Sequence, residues 1–427
     1  MTIEKLYEIF LQFPSIQTDT RKLKAGDLFF ALSGPNFNGN DFASKAIEAG
    51  AAYAIVDQDT PNSSGQILKV DNVLNSLQLL AKHYREQFNI PFIAITGSNG
   101  KTTTKELVST VLASHFKTYT TEGNLNNHIG IPLTLLRVGK DAEMAVIEMG
   151  ANHQKEIEGY CFYTEPTHGI ITNCGKAHLE GFGGIEGVRK GKGELFDFLR
   201  THNGTAFIYN DYEYLQEMSK GITSIVRYGT KQADTTGKSL PSDTFLQVEL
   251  TSEKSPVRIE TKLVGDYNLP NVLCAIAIGK HFNVPLEKII TSIEEYTPGN
   301  SRSQMVIKDS NHIILDAYNA NPTSMKVAIE NMANMQAQQK VLMLGAMMEL
   351  GQESLLEHEE VINIIKKYQW KKVILVGGDF GKINQPFAYF ENSVKAAEWV
   401  KQQAFEDCHI LIKGSRSVQM EKVLEAL

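Results

Sequence analysis

One stretch narrows the possible folds more than any other. Phe92-Ile93-Ala94-Ile95-Thr96 runs straight into Gly97-Ser98-Asn99-Gly100-Lys101-Thr102-Thr103-Thr104. A short apolar run, a glycine-bearing turn and a helix-prone segment over 101–114 predict a strand, a loop and a helix N-terminus in succession. Such a unit belongs in an open α/β sheet, where loops at the carboxyl ends of strands hold ligands. Backbone N–H groups freed by the glycines, with the positive end of the helix dipole, make this loop a cradle for polyphosphate. Lys101 is placed to reach the β- and γ-phosphates, and Thr102 to offer its hydroxyl to Mg²⁺. Gly97, Ser98, Asn99, Gly100 and Thr103 complete the expected contacts to ATP. The loop departs from the common G-x-x-x-x-G-K-[ST] spacing, because Gly97 and Gly100 are three apart and Ile95 fills the earlier slot. An ordinary strand-to-helix turn with a surface lysine would not need this order of residues. A nucleoside triphosphate is the expected ligand.

At 427 residues the chain exceeds what one core can serve, and roughly two to four domains are expected. A net charge of −7 with no long basic run argues against nucleic-acid binding. The four cysteines, Cys161, Cys174, Cys274 and Cys408, are scattered, so neither a disulfide framework nor a zinc site is indicated. Met1-Thr2-Ile3-Glu4-Lys5 mixes acid and base without the apolar core of a signal peptide. Nowhere do 18 apolar residues run together, so no membrane insertion is expected. A cytoplasmic enzyme is the expectation.

Three regions separate by pattern. Residues 1–88 alternate strand-like runs at 27–32, 53–56 and 67–70 with helical ones at 41–49 and 74–87, a small α/β unit. Residues 89–298 place candidate strands at 92–96, 144–148, 168–172 and 206–209 with helical stretches between, predicting a parallel sheet. The alternating polar stretch 234–264 predicts antiparallel hairpins instead. After Pro298-Gly299-Asn300, residues 299–427 alternate strands at 312–315, 340–344, 372–376 and 409–413 with helices at 353–368 and 393–405, a second doubly wound sheet.

Polar residues that directly follow apolar runs are the ones to examine. Glu148 ends Met144-Ala145-Val146-Ile147 and is placed to hold Mg²⁺ directly or through water, or to be a solvated strand-end carboxylate. His178 follows the strand at 168–172 and could ligate a metal, although a lone histidine is more often structural. Lys192, in Lys190-Gly191-Lys192-Gly193-Glu194-Leu195-Phe196, reads on pattern alone as a snorkelling surface lysine. The loop 121–132 carries Asn124, Asn126, Asn127 and His128, suited to a polar ligand or to plain turns. Asp316-Ala317-Tyr318-Asn319-Ala320-Asn321-Pro322 and Lys413-Gly414-Ser415-Arg416 follow strands of the third region, and Arg302, like Lys413 or Arg416, could meet phosphate or carboxylate.

Taken together, these segments resemble the Mur ligases, ATP-dependent amide-forming enzymes of bacterial cell-wall synthesis. The resemblance covers essentially the whole chain and is nearest to the MurF-type branch. It rests on the three-Thr loop with its short glycine spacing, on residues 123–132, 177–183, 316–322, 344–351 and 413–416, and on Thr18-Asp19-Thr20-Arg21 and residues 26–32. It implies three domains: a UDP-substrate domain over 1–88, a central ATP-binding domain over 89–298, and a Rossmann-like domain over 299–427 that takes the incoming amino-acid or dipeptide substrate. The implied catalytic set is Lys101, Lys192, His178 and Glu148. Thr102 and Glu148 would bind one Mg²⁺, and His178 a second together with a carbamylated Lys192, with Lys190 as the neighbouring alternative. Asn268 and Asn271 match a pair lying near adenine, while Arg302 and Asp316 would close the ATP site from the third domain. Ser33, Gly34 and Asn36 are candidates for the uridine diphosphate, and Asn126, Asn127, His153 and Asn319 for substrate. Two departures stand out: Asn152-His153-Gln154-Lys155-Glu156-Ile157 has Lys155 where the pattern has glycine, and Pro298-Gly299-Asn300-Ser301-Arg302 varies from the commoner Gly-Arg ending.

The implied reaction joins D-alanyl-D-alanine to UDP-N-acetylmuramoyl-tripeptide through an acyl phosphate, with release of ADP, in peptidoglycan synthesis and so in cell shape and division. Both substrates are small molecules, and a monomer is expected. A MurE-type ligase would show an Asp-Asn-Pro-Arg motif, which is lacking. A folylpolyglutamate-synthase-like enzyme would lack the Asn-Ala-Asn-Pro run, and a P-loop NTPase without ligase activity would show an apolar run ending in Asp.

Overall fold

The computed structural model describes residues 1–60, 65–242, 244–299 and 301–427. Asn300, at the expected start of the third region, and Asp243, within the expected hairpins, therefore lie outside the described residues. The chain divides into two compact units, one of Met1–Ala94, Phe116–Gly150 and Glu156–His168, the other of Ile95–His115, Ala151–Lys155 and Gly169–Leu427.

In the first unit, strands Ile16–Gln17, Leu28–Phe30, Tyr53–Val56 and Ile67–Lys69 form a parallel sheet in that order. Phe29, Ala31, Ala54 and Val56 meet Ala43 and Ala46 of the helix Ala43–Glu48 in its core. The helix Val73–Arg85 starts where the Asn72 side chain accepts from Asn75 N–H, a local cap that satisfies an otherwise orphaned donor. It buries Val73, Leu77, Leu80, Ala81 and Tyr84. At its end the Arg85 side chain is also buried. Its guanidinium lies 3.8 Å over the Phe92 ring and donates to the carbonyls of Thr164 and Glu165 at 2.8 and 2.9 Å and of Phe88 at 3.0 Å. Two of those carbonyls close the helix Glu156–Thr164, so the arginine supplies donors that a helix C-terminus otherwise lacks. Strands Thr118–Thr120 and Met144–Glu148 pair in parallel in the same unit.

The strand Phe92–Thr96 passes from one unit into the other after Ala94. In the second unit it leads into the helix Lys101–Ala113, which packs on the apolar helix Leu269–His281. Strands Thr205–Tyr209, Ser224–Gly229 and Thr235–Leu240 pair in parallel. Strands Phe245–Leu250 and Val257–Val264 then continue the sheet antiparallel, which agrees with the hairpins expected over 234–264. Burial alternates along Phe245–Leu250, as a sheet with one covered face requires.

The third region forms a six-stranded sheet in the order Gln304–Lys308, Asn311–Asp316, His409–Lys413, Lys340–Gly345, Lys372–Val376, Ala388–Phe390. Only the first pairing is antiparallel. Ile313, Leu315, Val341, Met343, Ile374, Val376, Ile410 and Ile412 are its core. Expected helices shorten here: 353–368 becomes a 3₁₀ turn Gly351–Glu353 and a helix Ser354–Ile365, and 393–405 stops at Val400.

Candidate functional site

The phosphate loop sits at the carboxyl end of the strand Phe92–Thr96. Gly97 has φ +143°, and a Cβ there would lie 2.0 Å from Thr172 Oγ1, so no other residue fits. Gly100 has φ +78° and opens the helix Lys101–Ala113 without a side chain to cap it. The segment after the strand His168–Ile171 holds the loop in shape. Ser98 Oγ donates to Gly175 O at 2.8 Å, Asn99 N–H to Asn173 Oδ1 at 3.1 Å, and Thr172 Oγ1 to Asn99 O at 2.6 Å. Lys101 folds back over the turn, donating from Nζ to Gly97 O at 2.7 Å and Ser98 O at 3.4 Å. Thr102 is buried and Thr103 half-buried in the first helical turn.

Asn268 and Asn271 come together beneath this loop. Asn271 Nδ2 donates to Asn268 Oδ1 at 2.8 Å, and Asn271 Oδ1 accepts from Thr104 Oγ1 at 3.0 Å. The pair braces the first turn of the loop helix. Two buried donors of the second unit lack protein partners: Asn99 Nδ2 in the loop itself and Arg302 Nε in the third region. The Arg302 guanidinium stacks 3.7 Å over the Tyr318 ring, and Ser301 and Ser303 on either side have φ +55° and +48°. Buried polar groups without partners are rare in proteins, and donors of this kind suit a phosphate or ribose oxygen.

Asp316 is held by Lys413, whose Nζ lies 2.5 Å from Oδ2 with only 2% of the side chain exposed. Lys413 Nζ also donates to Asn319 O, and the Asn319 side chain accepts from Ala320 N–H. Arg416 lies exposed beside Glu421, so the two cations of that segment part company. Asn321 caps the helix Pro322–Asn334 through a capping box with Ser324 and donates to Asn99 Oδ1 at 2.8 Å.

Lys192 corrects the pattern-only expectation. It lies in the helix Ile185–Thr201 with 1% exposure, its Nζ donating to Ala151 O at 2.9 Å and lying 4.9 Å over the Phe182 ring. A snorkelling lysine would reach solvent, as the exposed Lys190 does. Burial pushes the neighbouring Cys174 thiol up to about 12, with Lys192 opposing the shift. His178 takes a left-handed backbone, φ +53°. Its buried Nδ1 lies 2.5 Å from Glu349 Oε2, although the approach is bent out of hydrogen-bond alignment. The close approach of the His178 ring, through short-range polar contact first and charge second, holds the Glu349 carboxyl below the usual carboxylate range, with burial opposing. Glu349 was not singled out from sequence, although it too follows an apolar strand, Lys340–Gly345.

In the first unit, Glu148 ends the strand Met144–Glu148 with 1% exposure. Asn126 Nδ2 donates to Glu148 Oε1 at 2.8 Å, and Glu148 N–H donates to Thr121 Oγ1 at 3.0 Å. Asn126, expected to meet substrate, thus orients the carboxylate. Asn127 Oδ1 accepts from Ile129 and Gly130 N–H, the work of a turn residue. Ser33, Gly34 and Asn36 lie in the loop after Leu28–Phe30, where Ser33 Oγ donates to Asn38 Oδ1 and Gly34 bridges Phe37. His153 lies in the second unit, in the loop that runs to Lys155. Lys155 has φ +72°, which explains why a glycine suits that position, and its N–H donates to Glu194 Oε1 at 2.6 Å.

Among the described residues no three His, Cys, Asp or Glu side chains converge on a metal position. The donors present instead are hydroxyl, carboxylate and imidazole groups taken singly: Glu148 in the first unit, and Thr102 and His178 in the second, which also holds the deeply buried Lys192. That set suits a hard cation sharing its oxygen ligands with a bound phosphate. No described helix is long and apolar enough to cross a membrane.

Three family models match along the chain: "Mur ligase family, catalytic domain" over residues 12–85, "Mur ligase middle domain" over 95–279, and "Mur ligase, glutamate ligase domain" over 301–416. The UDP-N-acetylmuramoyl-tripeptide–D-alanyl-D-alanine ligase of Escherichia coli strain K12 is 34% identical, covering 97% of this chain and 93% of its own length. The ligase of the same description from Bacillus subtilis strain 168 is 32% identical, over 96% and 92%. Among solved structures, MurF from Acinetobacter baumannii aligns with a TM-score of 0.89 at 27% identity over 99% of this chain and 98% of that one. MurF from Thermotoga maritima in complex with ADP aligns at 0.88 and 26%, over 97% of each chain. These alignments give the chain a three-domain α/β architecture with a parallel-sheet central domain.

Proposed function

The chain belongs to the Mur ligase family, and from that membership we propose that it joins D-alanyl-D-alanine to UDP-N-acetylmuramoyl-tripeptide at the expense of ATP. It is an ATP-dependent, ADP-forming ligase of peptidoglycan precursor synthesis. The observation that carries the reading at the site is the buried Lys192, in a chain that also has a phosphate loop. A switch or motor NTPase has no use for a lysine sunk in its core. A MurE-type ligase is disfavoured because the segment after Asp316 runs Asn319-Ala320-Asn321-Pro322-Thr323, with Asn321 spent on capping a helix.

The tripeptide's terminal carboxylate attacks the γ-phosphate of ATP, giving an acyl phosphate and ADP. The amine of D-alanyl-D-alanine then attacks the acyl carbon, phosphate leaves, and the amide forms. The phosphate loop binds the nucleotide through its backbone, and Lys101 leaves its loop carbonyls to follow charge onto the transferred phosphoryl group. Arg302, with a donor to spare and its plane fixed by Tyr318, orients the nucleotide. Mg²⁺, where bound, neutralises phosphoryl charge. Thr102 and Glu148 would hold one ion, and His178 with Lys192 a second. Lys192 would ligate as a carbamate, which turns a cation into an anionic oxygen ligand suited to a hard metal. Asn126 keeps the Glu148 carboxylate aimed. Ser33, Gly34 and Asn36 would serve the uridine diphosphate, Asn127, His153 and Asn319 the peptide parts, and Asn268 and Asn271 the adenine side. The domain limits follow as 1–88, 89–298 and 299–427, and the enzyme works as a cytoplasmic monomer.

The test is phosphate release from ATP with each acceptor omitted in turn. Release should require UDP-N-acetylmuramoyl-tripeptide and D-alanyl-D-alanine together. Release equal to that with ATP alone would sink the ligase reading.

A further inference from the structure

Two non-glycine residues with left-handed backbones face one another in the second unit. His178 has φ +53° in the loop after His168–Ile171, and Glu349 has φ +62° in the loop after Lys340–Gly345. Such conformations are disfavoured for residues with a Cβ and persist only where the surroundings hold them. Here the two strained residues hold each other, Nδ1 to Oε2 at 2.5 Å. The loop that carries His178 meets the third region at two further places, on the helices Pro322–Asn334 and Ser354–Ile365, so the contact is no stray crossing. Lys176 Nζ reaches the nearly buried Glu357 at 2.5 Å, and Lys176 N–H donates to Thr323 Oγ1 at 3.0 Å.

Among the described residues the buried His178 Nδ1 has no aligned hydrogen-bond acceptor, and the group that lies against it is the Glu349 carboxylate. A carboxylate this close to Nδ1 attracts the tautomer that carries its proton there, even across a bent approach, and so leaves Nε2 unprotonated and available as a ligand or acceptor. We propose that Glu349 is a positioning residue: from the third region it fixes the tautomer and ring orientation of His178, so that Nε2 is the nitrogen offered to the reaction. The competence of His178 then depends on the loop 346–351 being in place, which ties the two regions together through a single carboxylate. This rests on the ligase reading above, in which His178 acts at the reacting phosphate.

The experiment uses the full chain with ¹⁵N-labelled histidine, the His178 ring signals being assigned by their loss in His178→Ala. In the unsubstituted protein His178 should show a protonated Nδ1 and an unprotonated Nε2. Glu349→Gly removes the carboxylate while easing the backbone, so its Tm should hold or rise. Its His178 ring should nevertheless lose the fixed tautomer, and kcat should fall about tenfold to a hundredfold with KM for ATP little changed. Glu349→Gln, whose amide oxygen can still face Nδ1 with a negative dipole, should recover the tautomer and most of the kcat. An unchanged tautomer in Glu349→Gly, or an unchanged kcat, would overturn the proposal. If His178→Ala is itself as active as the unsubstituted protein, the role given to His178 fails, and the proposal with it. If His178→Ala is inactive while Glu349→Gly is unaffected, the proposal alone fails.

Discussion

Lys155 shows how much one torsion decides. Its φ of +72° places a side chain in backbone space that glycine occupies without strain. Lys155→Gly should therefore stabilise the protein, by about 0.5–1 kcal/mol after glycine's extra unfolded entropy is set against the relieved strain. A denaturant melt of the two proteins checks this, and a lower midpoint for the glycine variant would refute it. Lys192 makes a different point. Its helix shows a lysine beside glycines and apolar residues, a pattern that a surface helix also satisfies. Only the placement of Ala151 and Phe182, remote in sequence or across a loop, reveals the burial. Lys192→Ala should lower kcat by about 10²–10³-fold, and acetate or formate should restore part of it by filling the space with an oxygen ligand. Rescue that fails in Lys192→Ala but succeeds in Lys190→Ala would move the role to the exposed neighbour. The position of Glu148 at the end of an apolar strand was legible, but its burial was not, since a solvated strand-end carboxylate has the same pattern. Its partner Asn126 was not, since a loop asparagine looks alike whether it binds substrate or steadies a side chain.

Elements were legible in proportion to how completely they are buried. Phe92–Thr96, Met144–Glu148, Lys372–Val376 and His409–Lys413 lie inside sheets and read as unbroken apolar runs. Thr118–Thr120, Gln304–Lys308 and Ala388–Phe390 are outermost strands, half-exposed along their length, and carry no such run. The helix Ser354–Ile365 adds a titration to this picture. Its His358 is fully buried, accepting at Nε2 from Met347 N–H at 3.1 Å with Nδ1 on Ser354 O at 2.7 Å. Burial pushes its pKa below the ordinary 6.5, the Ser354 carbonyl opposing in part. The neutral ring is the folded form, so its contribution is whole above the ordinary value and drains away as pH falls below it. Stability measured from pH 8 down to 5 should decline, and His358→Gln should flatten part of that slope. An identical slope in the variant would assign the loss to His281 and His409, which burial also depresses.

At the scale of the whole molecule, three α/β regions and their order could be read directly, because strand–helix alternation and the phosphate loop are local signals. The discontinuous make-up of the first unit could not, since it depends on residues far apart in the chain. That unit is assembled from Met1–Ala94, Phe116–Gly150 and Glu156–His168. The Arg85 guanidinium, seated on Phe92, depends on carbonyls at Thr164 and Glu165, the latter 80 residues further on. Arg85→Met would strand those carbonyls, and a loss of about 1–3 kcal/mol is expected from one buried and one part-buried acceptor left without donors. During synthesis the consequence is one of timing. The arginine leaves the ribosome well before its acceptors exist, and at ordinary elongation rates the interval is on the order of ten seconds. Nascent chains arrested with residue 140 just outside the exit tunnel should still be protease-sensitive around residue 85, whereas chains arrested past residue 168 should be protected there. In this protein the first region to be made must wait, unfinished, until the chain has grown to residue 168.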